Sequence, residues 1–127
     1  MFDYKFSVRG YELDSYGHVN NAVYLNYFEQ ARWEIFRNLN LIDYFKKNEL
    51  FLVVTEMQVR YSHELILFDE AVIQTKVTKE APYLVFHQKM YFGKTKEKIC
   101  TADVKTLLTD KKKLPYDIPE KLLNKLI

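Results

Sequence analysis

Alternating apolar and polar positions at the start of the chain predict a half-buried β-strand. Apolar side chains stand at every second position, at Phe2, Tyr4, Phe6 and Val8. Successive side chains of a strand point to opposite faces, so a period of two indicates one face on a core and the other in solvent. The segment from Gly10 to Gly17 follows as a polar loop that contains Asp14.

From Asn21 the apolar period lengthens to three and four residues, which predicts a helix of about 18 residues. Its apolar stripe consists of Tyr24, Tyr27, Phe28, Ala31, Ile35 and Leu39. Either Asn20 or Asn21 can cap the first turn, and Asn38 and Asn40 mark the end. Further apolar residues lie off this stripe: Val23, Trp33 and Phe36. We therefore expect a sheet to wrap around the helix and bury more than one of its sides.

Four more strands are predicted after residue 50, near 57–61, 71–78, 84–92 and 100–108. The breaks at 80–82 and 93–96 are short enough for hairpins, so neighbouring strands should run antiparallel. A short helix is predicted in the tail that follows Pro115 and Pro119. The order β-α-β-β-β-β indicates an α+β fold, with one long helix on a five-stranded antiparallel sheet in a single domain over 1–127.

Composition narrows the class of protein. The chain has 127 residues, 48% hydrophobic and 28% charged, which is typical of a folded globular protein. Its net charge of +2 is too balanced to favour nucleic acid as a partner. The three glycines are too far apart for a dinucleotide-binding or P-loop motif. No metal site is expected, because there is a single cysteine and the three histidines share no ligand spacing.

Two expectations concern location and assembly. The longest apolar run is Leu50 to Val54, far shorter than a bilayer-spanning helix, and the first residues do not resemble a signal peptide, so we expect a cytoplasmic protein. The aromatic content of 16% is high, and a five-stranded sheet would leave its edges unpaired. Pairing an edge with a second copy would remove that liability, so a homodimer is expected, with a homotetramer also open.

The densest polar segment, Asp14 to Asn21, stands directly before the predicted helix. A helix N-terminus exposes unpaired N–H groups and partial positive charge, which can polarise a carbonyl placed there. A carboxylate such as Asp14 beside it could attack that carbonyl or take a proton from water. These residues are equally competent as turn and cap residues, and spacing alone leaves both interpretations open.

The segment resembles the signature of a known enzyme family. Asp14-x-x-Gly17-His18-Val19-Asn20-Asn21-x-x-Tyr24-x-x-Tyr27-Phe28-Glu29-x-Ala31-Arg32 is similar to the hotdog-fold acyl-CoA thioesterases of the hydroxybenzoyl-CoA thioesterase superfamily, in the YbgC-like branch. In that family a curved sheet wraps a central helix, two subunits join their sheets, and acyl-CoA enters at the dimer interface. The resemblance thus implies a thioesterase that releases a free acid and coenzyme A.

The same resemblance implies roles for individual residues. Asp14 takes the position of the catalytic carboxylate, and the backbone N–H near Asn21 that of the group polarising the thioester carbonyl. His18 is a further candidate, either holding the loop by hydrogen bonds or moving a proton. The candidates for substrate contacts are Gly17, Asn20 and Tyr24. No cofactor is implied, because coenzyme A is part of the substrate.

Two departures from the family pattern and three rival functions stay open. Glu64 stands where the family often has proline, and Asn21 where many YbgC-like members have histidine. A thioesterase acting on acyl carrier protein is the first rival, since it presents the same thioester on the same pantetheine arm. An enoyl hydratase is the second, and a non-catalytic acyl-binding protein is the third.

Two expectations concern single residues outside this segment's chemistry. On the helix, Glu29 and Arg32 are expected to form an ion pair with each other. Cys100 is expected to be a small buried residue.

Overall fold

The computed structural model of the chain describes residues 1–127 and contains every element predicted above, together with one short additional helix and one 3₁₀ turn. The strands are β1 (Phe2–Ser7), β2 (Phe51–Tyr61), β3 (Glu70–Glu80), β4 (Tyr83–Phe92) and β5 (Lys98–Thr109). The helices are α1 (Asn21–Asn38), α2 (Ile42–Lys47) and α3 (Glu120–Leu126), with one 3₁₀ turn at Gly10–Glu12. None of these helices combines the length and apolarity needed to cross a membrane.

The five strands form one antiparallel sheet in the order β1-β3-β4-β5-β2. Tight connections join β3 to β4 and β4 to β5, as the short breaks in the sequence predicted. The strands β1 and β2 therefore lie at the two edges, although they flank α1 in the chain. The predicted α+β class and the five-stranded antiparallel sheet with one long helix are confirmed.

Helix α1 lies across one face of the sheet and forms the centre of the core. Phe28 from the helix is fully buried, as are Ile73, Phe86 and Val104 from three strands. The expected burial on several sides is only partly met. Trp33, off the main stripe, keeps 48% of its surface exposed, because it borders an open cavity between α1, α2 and β2.

Both ends of α1 lie where the sequence predicted. The Asn20 side chain accepts a hydrogen bond from the Ala22 N–H at 2.9 Å, so Asn20 is the N-cap and the helix begins at Asn21. The chain leaves the helix after Asn38, and Asn40 has a φ of 57°. Asparagine tolerates this left-handed conformation better than most residues do, which favours a stop at this point.

Helix α2 was not predicted. It has only six residues, and no side chain caps its first residue, so the sequence carries little signal for it. It packs Phe45 edge-on against Phe36 of α1, with ring centroids 5.4 Å apart. Cys100, on β5, is fully buried as expected, and its burial raises the pKa of the thiol to about 12.

Candidate active site

The loop before α1 folds back on itself, which brings its two ends together. The Asn20 N–H donates to the Glu12 carbonyl at 3.0 Å, and Leu13 and Val19 form an antiparallel bridge. One step further along, the Asp14 N–H donates to the His18 carbonyl at 2.7 Å. Asp14 therefore belongs to the same closed loop as Asn20, the N-cap of α1.

Asp14 is half-buried and uses only one of its carboxylate oxygens. Its Oδ1 accepts hydrogen bonds from the backbone N–H groups of Tyr16, at 2.8 Å, and His18, at 3.3 Å. Its Oδ2 makes no hydrogen bond within the protein. Gly17 has a φ of +80°, a left-handed conformation that lets the loop turn back toward Asp14. The loop therefore fixes the carboxylate and leaves one oxygen unbonded.

The start of α1 presents an unpaired donor next to this loop. The Asn20 side chain satisfies the Ala22 N–H, whereas the Asn21 N–H has no acceptor in the protein. Such orphan N–H groups carry the partial positive charge of the helix terminus. The arrangement can polarise a carbonyl oxygen at the helix start while a carboxylate acts from the loop.

The remaining sequence candidates lie in different surroundings. The His18 ring is exposed and makes no hydrogen bond, and this residue supports the loop through its backbone groups alone. Tyr24 is buried, and its hydroxyl accepts a hydrogen bond from the Leu65 N–H at 3.1 Å. Four of the candidates thus lie in the loop before α1, namely Asp14, Gly17, His18 and Asn20, and Asn21 begins the helix. It places the Tyr24 hydroxyl against the segment that follows β2.

A second tyrosine contacts the helix start without having been singled out for it. The Tyr61 hydroxyl donates to the Asn21 carbonyl at 3.0 Å, and its ring packs edge-on against Tyr24. Tyr61 ends β2, an edge strand, and half of its surface is exposed. The contact joins residues 40 positions apart, so no local spacing could reveal it.

A buried carboxylate, Glu12, ties the start of the loop to helix α1. Glu12 is 6% exposed and accepts hydrogen bonds from the Tyr27 hydroxyl, the Arg9 N–H and the Arg9 guanidinium, at 2.8, 2.8 and 3.0 Å. Burial alone would raise the pKa of Glu12, but these three donors outweigh it and hold the pKa below its ordinary value. Burial and the neighbouring Glu12 carboxylate raise the pKa of Tyr27. The loop is therefore tied to α1 two residues before Asp14.

A largely apolar cavity of about 590 Å³ lies further along α1, between that helix, α2 and the first half of β2. Trp33, Phe36 and Phe45 contribute to its walls. Arg32 also lines it, and here the expected pair with Glu29 is wrong. The Arg32 guanidinium turns toward the sheet instead and donates to the Gln88 side-chain oxygen on β4 at 3.0 Å.

Comparison with known proteins identifies the family. The model of the thioesterase-like superfamily matches residues 8–126. The chain belongs to the thioesterase-like superfamily. The predicted resemblance to a thioesterase family is thereby confirmed, and the matched range includes the polar loop, α1 and the whole sheet except β1.

Relatives with assigned activities are similar over part of their length. The long-chain acyl-CoA thioesterase FadM of Escherichia coli is 36% identical over 70 residues, covering 55% of this chain and 53% of FadM. The acyl-acyl carrier protein thioesterase ATL3 of Arabidopsis thaliana is 27% identical over 122 residues, covering 94% of this chain and 64% of ATL3. The chain spans about half to two thirds of the length of the curated relatives it matches.

Solved structures of this family match the fold over nearly the whole chain. The probable thioesterase YbaW of Escherichia coli superposes with a TM-score of 0.89 at 25% identity, covering 99% of this chain and 96% of YbaW. A thioesterase of Thermus thermophilus, solved with coenzyme A and zinc, has a TM-score of 0.80 at 26% identity, covering 98% and 90%. The hotdog fold is thereby confirmed.

Proposed function

We propose that this protein is an acyl-CoA thioesterase, which hydrolyses a thioester to a free acid and coenzyme A. The observation that carries the proposal is that the closed loop leaves the Asp14 Oδ2 unbonded and leads directly into a helix start whose Asn21 N–H is unpaired. The Asp14 carboxylate can act as a base or a nucleophile, and the Asn21 N–H can donate a hydrogen bond to the developing oxyanion. Membership of the thioesterase-like superfamily supports this chemistry.

Asp14 can act in either of two ways. As a nucleophile, its carboxylate oxygen bonds to the thioester carbon, the carbon–sulfur bond breaks, and the thiolate leaves and takes a proton. Water then hydrolyses the resulting mixed anhydride and restores Asp14. As a general base, Asp14 takes a proton from water while the water oxygen attacks the carbonyl carbon. The carbon–sulfur bond of the resulting tetrahedral intermediate then breaks, and Asp14 returns the proton to the leaving thiolate. In both cases the Asn21 N–H stabilises the negative charge on the carbonyl oxygen, and water is the only co-substrate.

The choice of acyl donor is the first matter for experiment. FadM is named as an acyl-CoA thioesterase and ATL3 as a thioesterase of acyl carrier protein, so the relatives include both donors. We favour the coenzyme A thioester, in line with the FadM match. Hydrolysis of one acyl group presented on coenzyme A and on acyl carrier protein, at matched concentrations, should give the higher kcat/KM with coenzyme A.

Substitution of the carboxylate tests the mechanism. Asp14→Asn keeps the Oδ1 acceptor and removes the charge, so turnover of the best acyl-CoA should fall by about a hundredfold or more. The matched control is Asp103→Asn, an exposed carboxylate on the sheet that should leave turnover unchanged. A variant of Asp14 that keeps more than half of the wild-type turnover would contradict the mechanism. Retained acyl-CoA binding without any wild-type turnover would instead favour an acyl-binding protein.

We further propose that the working unit is a homodimer joined along β2. This edge strand has no partner on its outer side and exposes Phe51, Val53, Val54 and Tyr61. Open strand edges and exposed apolar residues both favour pairing with a second copy, and antiparallel β2 pairing would extend the sheet across the dimer. Light scattering at low micromolar concentration should find a dimer or a multiple of it, and an active monomer of 15.3 kDa would contradict this assembly.

A further inference from the structure

Arg32 is a buried cation that has no carboxylate partner. Only 8% of its surface is exposed, and no Asp or Glu oxygen lies within ion-pair distance. Its one hydrogen bond runs from Nη1 to the Gln88 Oε1 at 3.0 Å. Because a buried charge is costly unless polar groups surround it, such a residue calls for a further acceptor.

The orientation of Arg32 is fixed from the sheet side. Gln88 is fully buried, and its Nε2 donates to the Phe28 carbonyl at 3.1 Å and to the Thr75 hydroxyl at 3.2 Å. The Gln88 amide is therefore locked with its oxygen toward Arg32. Nε and Nη2 of Arg32 make no hydrogen bond, yet no completely buried side-chain nitrogen in the protein lacks a partner. Both donors therefore keep some accessible surface, and Arg32 is one of the residues that line the cavity.

The rest of that cavity is suited to a hydrocarbon chain. Its walls include Trp33 and Phe36 of α1, Phe45 of α2 and Leu52 of β2. Its volume of about 590 Å³ lies within the range of about 300–1,000 Å³ usual for small-molecule sites. Desolvation lowers the pKa of Arg32 from its ordinary value, which is the expected result for a guanidinium held in apolar surroundings. The cavity thus combines apolar walls with the donors of Arg32, which Gln88 holds in place, and with the exposed Lys46 at its border.

A nearby carboxylate narrows the chemistry of the ligand. Glu29 lies one turn before Arg32, lines the same cavity, and attracts the guanidinium from beyond ion-pair distance. Lys46 and Glu49 line the cavity as well, so its lining carries two cations and two carboxylates and is formally neutral. A carboxylate on the ligand would gain from Arg32 and be repelled by Glu29. A neutral oxygen, which accepts hydrogen bonds without that repulsion, is the better match.

We propose that this cavity takes the acyl chain of the substrate and that Arg32 selects chains carrying a neutral oxygen substituent, a hydroxyl or keto group. The inference rests on the proposed thioesterase function and adds a specificity-determining residue to it. An unsubstituted chain would fill the same space and leave the Arg32 donors without an acceptor. A substituted chain would accept from them, and its oxygen would lie beside the guanidinium that Gln88 orients.

Binding can be measured without catalysis, because Trp33 is the only tryptophan and stands in the cavity wall. The probes are dodecanoic acid, a set of its monohydroxy and monoketo derivatives with the oxygen at successive positions, and dodecanedioic acid. Each is titrated while Trp33 fluorescence is recorded. At least one hydroxy or keto acid should bind about tenfold to a hundredfold more tightly than dodecanoic acid, the range for a hydrogen bond to a charged group. The increase in affinity over dodecanoic acid should be smaller for dodecanedioic acid, because Glu29 repels its second carboxylate.

Two arginines on the same helix provide matched variants. Arg32→Met keeps a long side chain without the charge, and should reduce the preference for oxygenated acids to about onefold. Arg37→Met removes the same charge from an arginine that is 70% exposed and paired with Glu34, and should leave the preference unchanged. Arg32→Lys, which retains a cation, should preserve part of the preference. If Arg32→Met does not fold, Arg32→Lys and the wild-type titrations still decide the matter.

Three results would overturn the inference. They are a wild-type protein that binds dodecanoic acid at least as tightly as every oxygenated acid, a preference that survives in Arg32→Met, and a Trp33 signal that no fatty acid changes. Failure of the proposed function is separate, since it would appear as absent hydrolysis of all acyl-CoA thioesters. Oxygen-selective binding without hydrolysis would support the role of Arg32 and contradict the thioesterase.

Discussion

Two carboxylates stand two residues apart in the same loop, and the structure treats them in opposite ways. Glu12 is buried, and both of its oxygens accept hydrogen bonds from Arg9 and Tyr27. Asp14 is half-buried and leaves one oxygen unbonded. A carboxylate whose two oxygens both accept hydrogen bonds within the protein has no oxygen left to react with a substrate. A carboxylate held through one oxygen is fixed in position and keeps the other oxygen available. Glu12 thus stabilises the loop, and Asp14 is free for chemistry.

The largest expected effect concerns the donor that works with Asp14. Asn21→Pro deletes the N–H itself, while Asn21→Ala removes only the side chain, so the proline variant should lose about a hundredfold in kcat and the alanine variant much less. Proline is tolerated in a first helical turn, and Asn20 before it already has φ −59° and ψ 138°, which suits a residue preceding proline. Steady-state kinetics and circular dichroism of both variants make the comparison.

If both variants fold and Asn21→Ala lowers kcat more than Asn21→Pro does, the Asn21 side chain is the group that stabilises the oxyanion. The free N–H would then not be the group that stabilises the oxyanion. Asp14 would keep its place in the comparison, but its partner would have to be the Asn21 amide.

A smaller effect should separate the two carboxylates by stability. Glu12→Gln removes a buried charge that three donors surround, so the free energy of unfolding should fall by about 2 kcal/mol. Asp14→Asn should change it by no more than about 0.5 kcal/mol, because Asp14 is partly solvated and its Oδ1 contacts survive. Urea unfolding of the two variants measures this difference. Equal losses would show that the loop depends on both carboxylates alike.

The smallest effect is a dependence on pH. The folded pKa of Glu12 lies below its unfolded value of about 4.5, so its contribution to stability is complete above that value and is lost as the pH falls through the folded pKa. Acid should therefore destabilise the wild-type protein more steeply than Glu12→Gln in the window from pH 4.5 downward. Thermal melts at a series of acidic pH values test this, and parallel curves would contradict it.

Local patterns were sufficient for the parts of the molecule whose structure is decided within a few residues. The N-cap at Asn20, the span of α1 and the hairpins of β3, β4 and β5 all follow from neighbours in the chain. The polar loop was also found in this way, because its residues lie next to one another. Its free Asp14 oxygen was not, since that depends on which backbone groups the folded loop turns inward.

The features that the sequence did not reveal depend on contacts across long stretches of chain. Arg32 was expected to pair with Glu29, three residues away, but its partner is Gln88, 56 residues away. That choice depends on how α1 lies on β4, which no local spacing encodes. The Tyr61 contact with Asn21 likewise requires the end of β2 to lie beside the start of α1. Helix α2 was missed because six residues without a cap resemble a loop.

Burial of Cys100 has a practical result for every experiment above. It is the only cysteine, it is fully buried, and the pKa of its thiol is about 12, so the folded protein offers almost no reactive thiolate near neutral pH. A chromogenic thiol reagent such as Ellman's would then report only the coenzyme A that hydrolysis sets free. Added to the protein alone, the same reagent would react only when unfolding exposes Cys100, and each unfolded chain would contribute one equivalent of thiol.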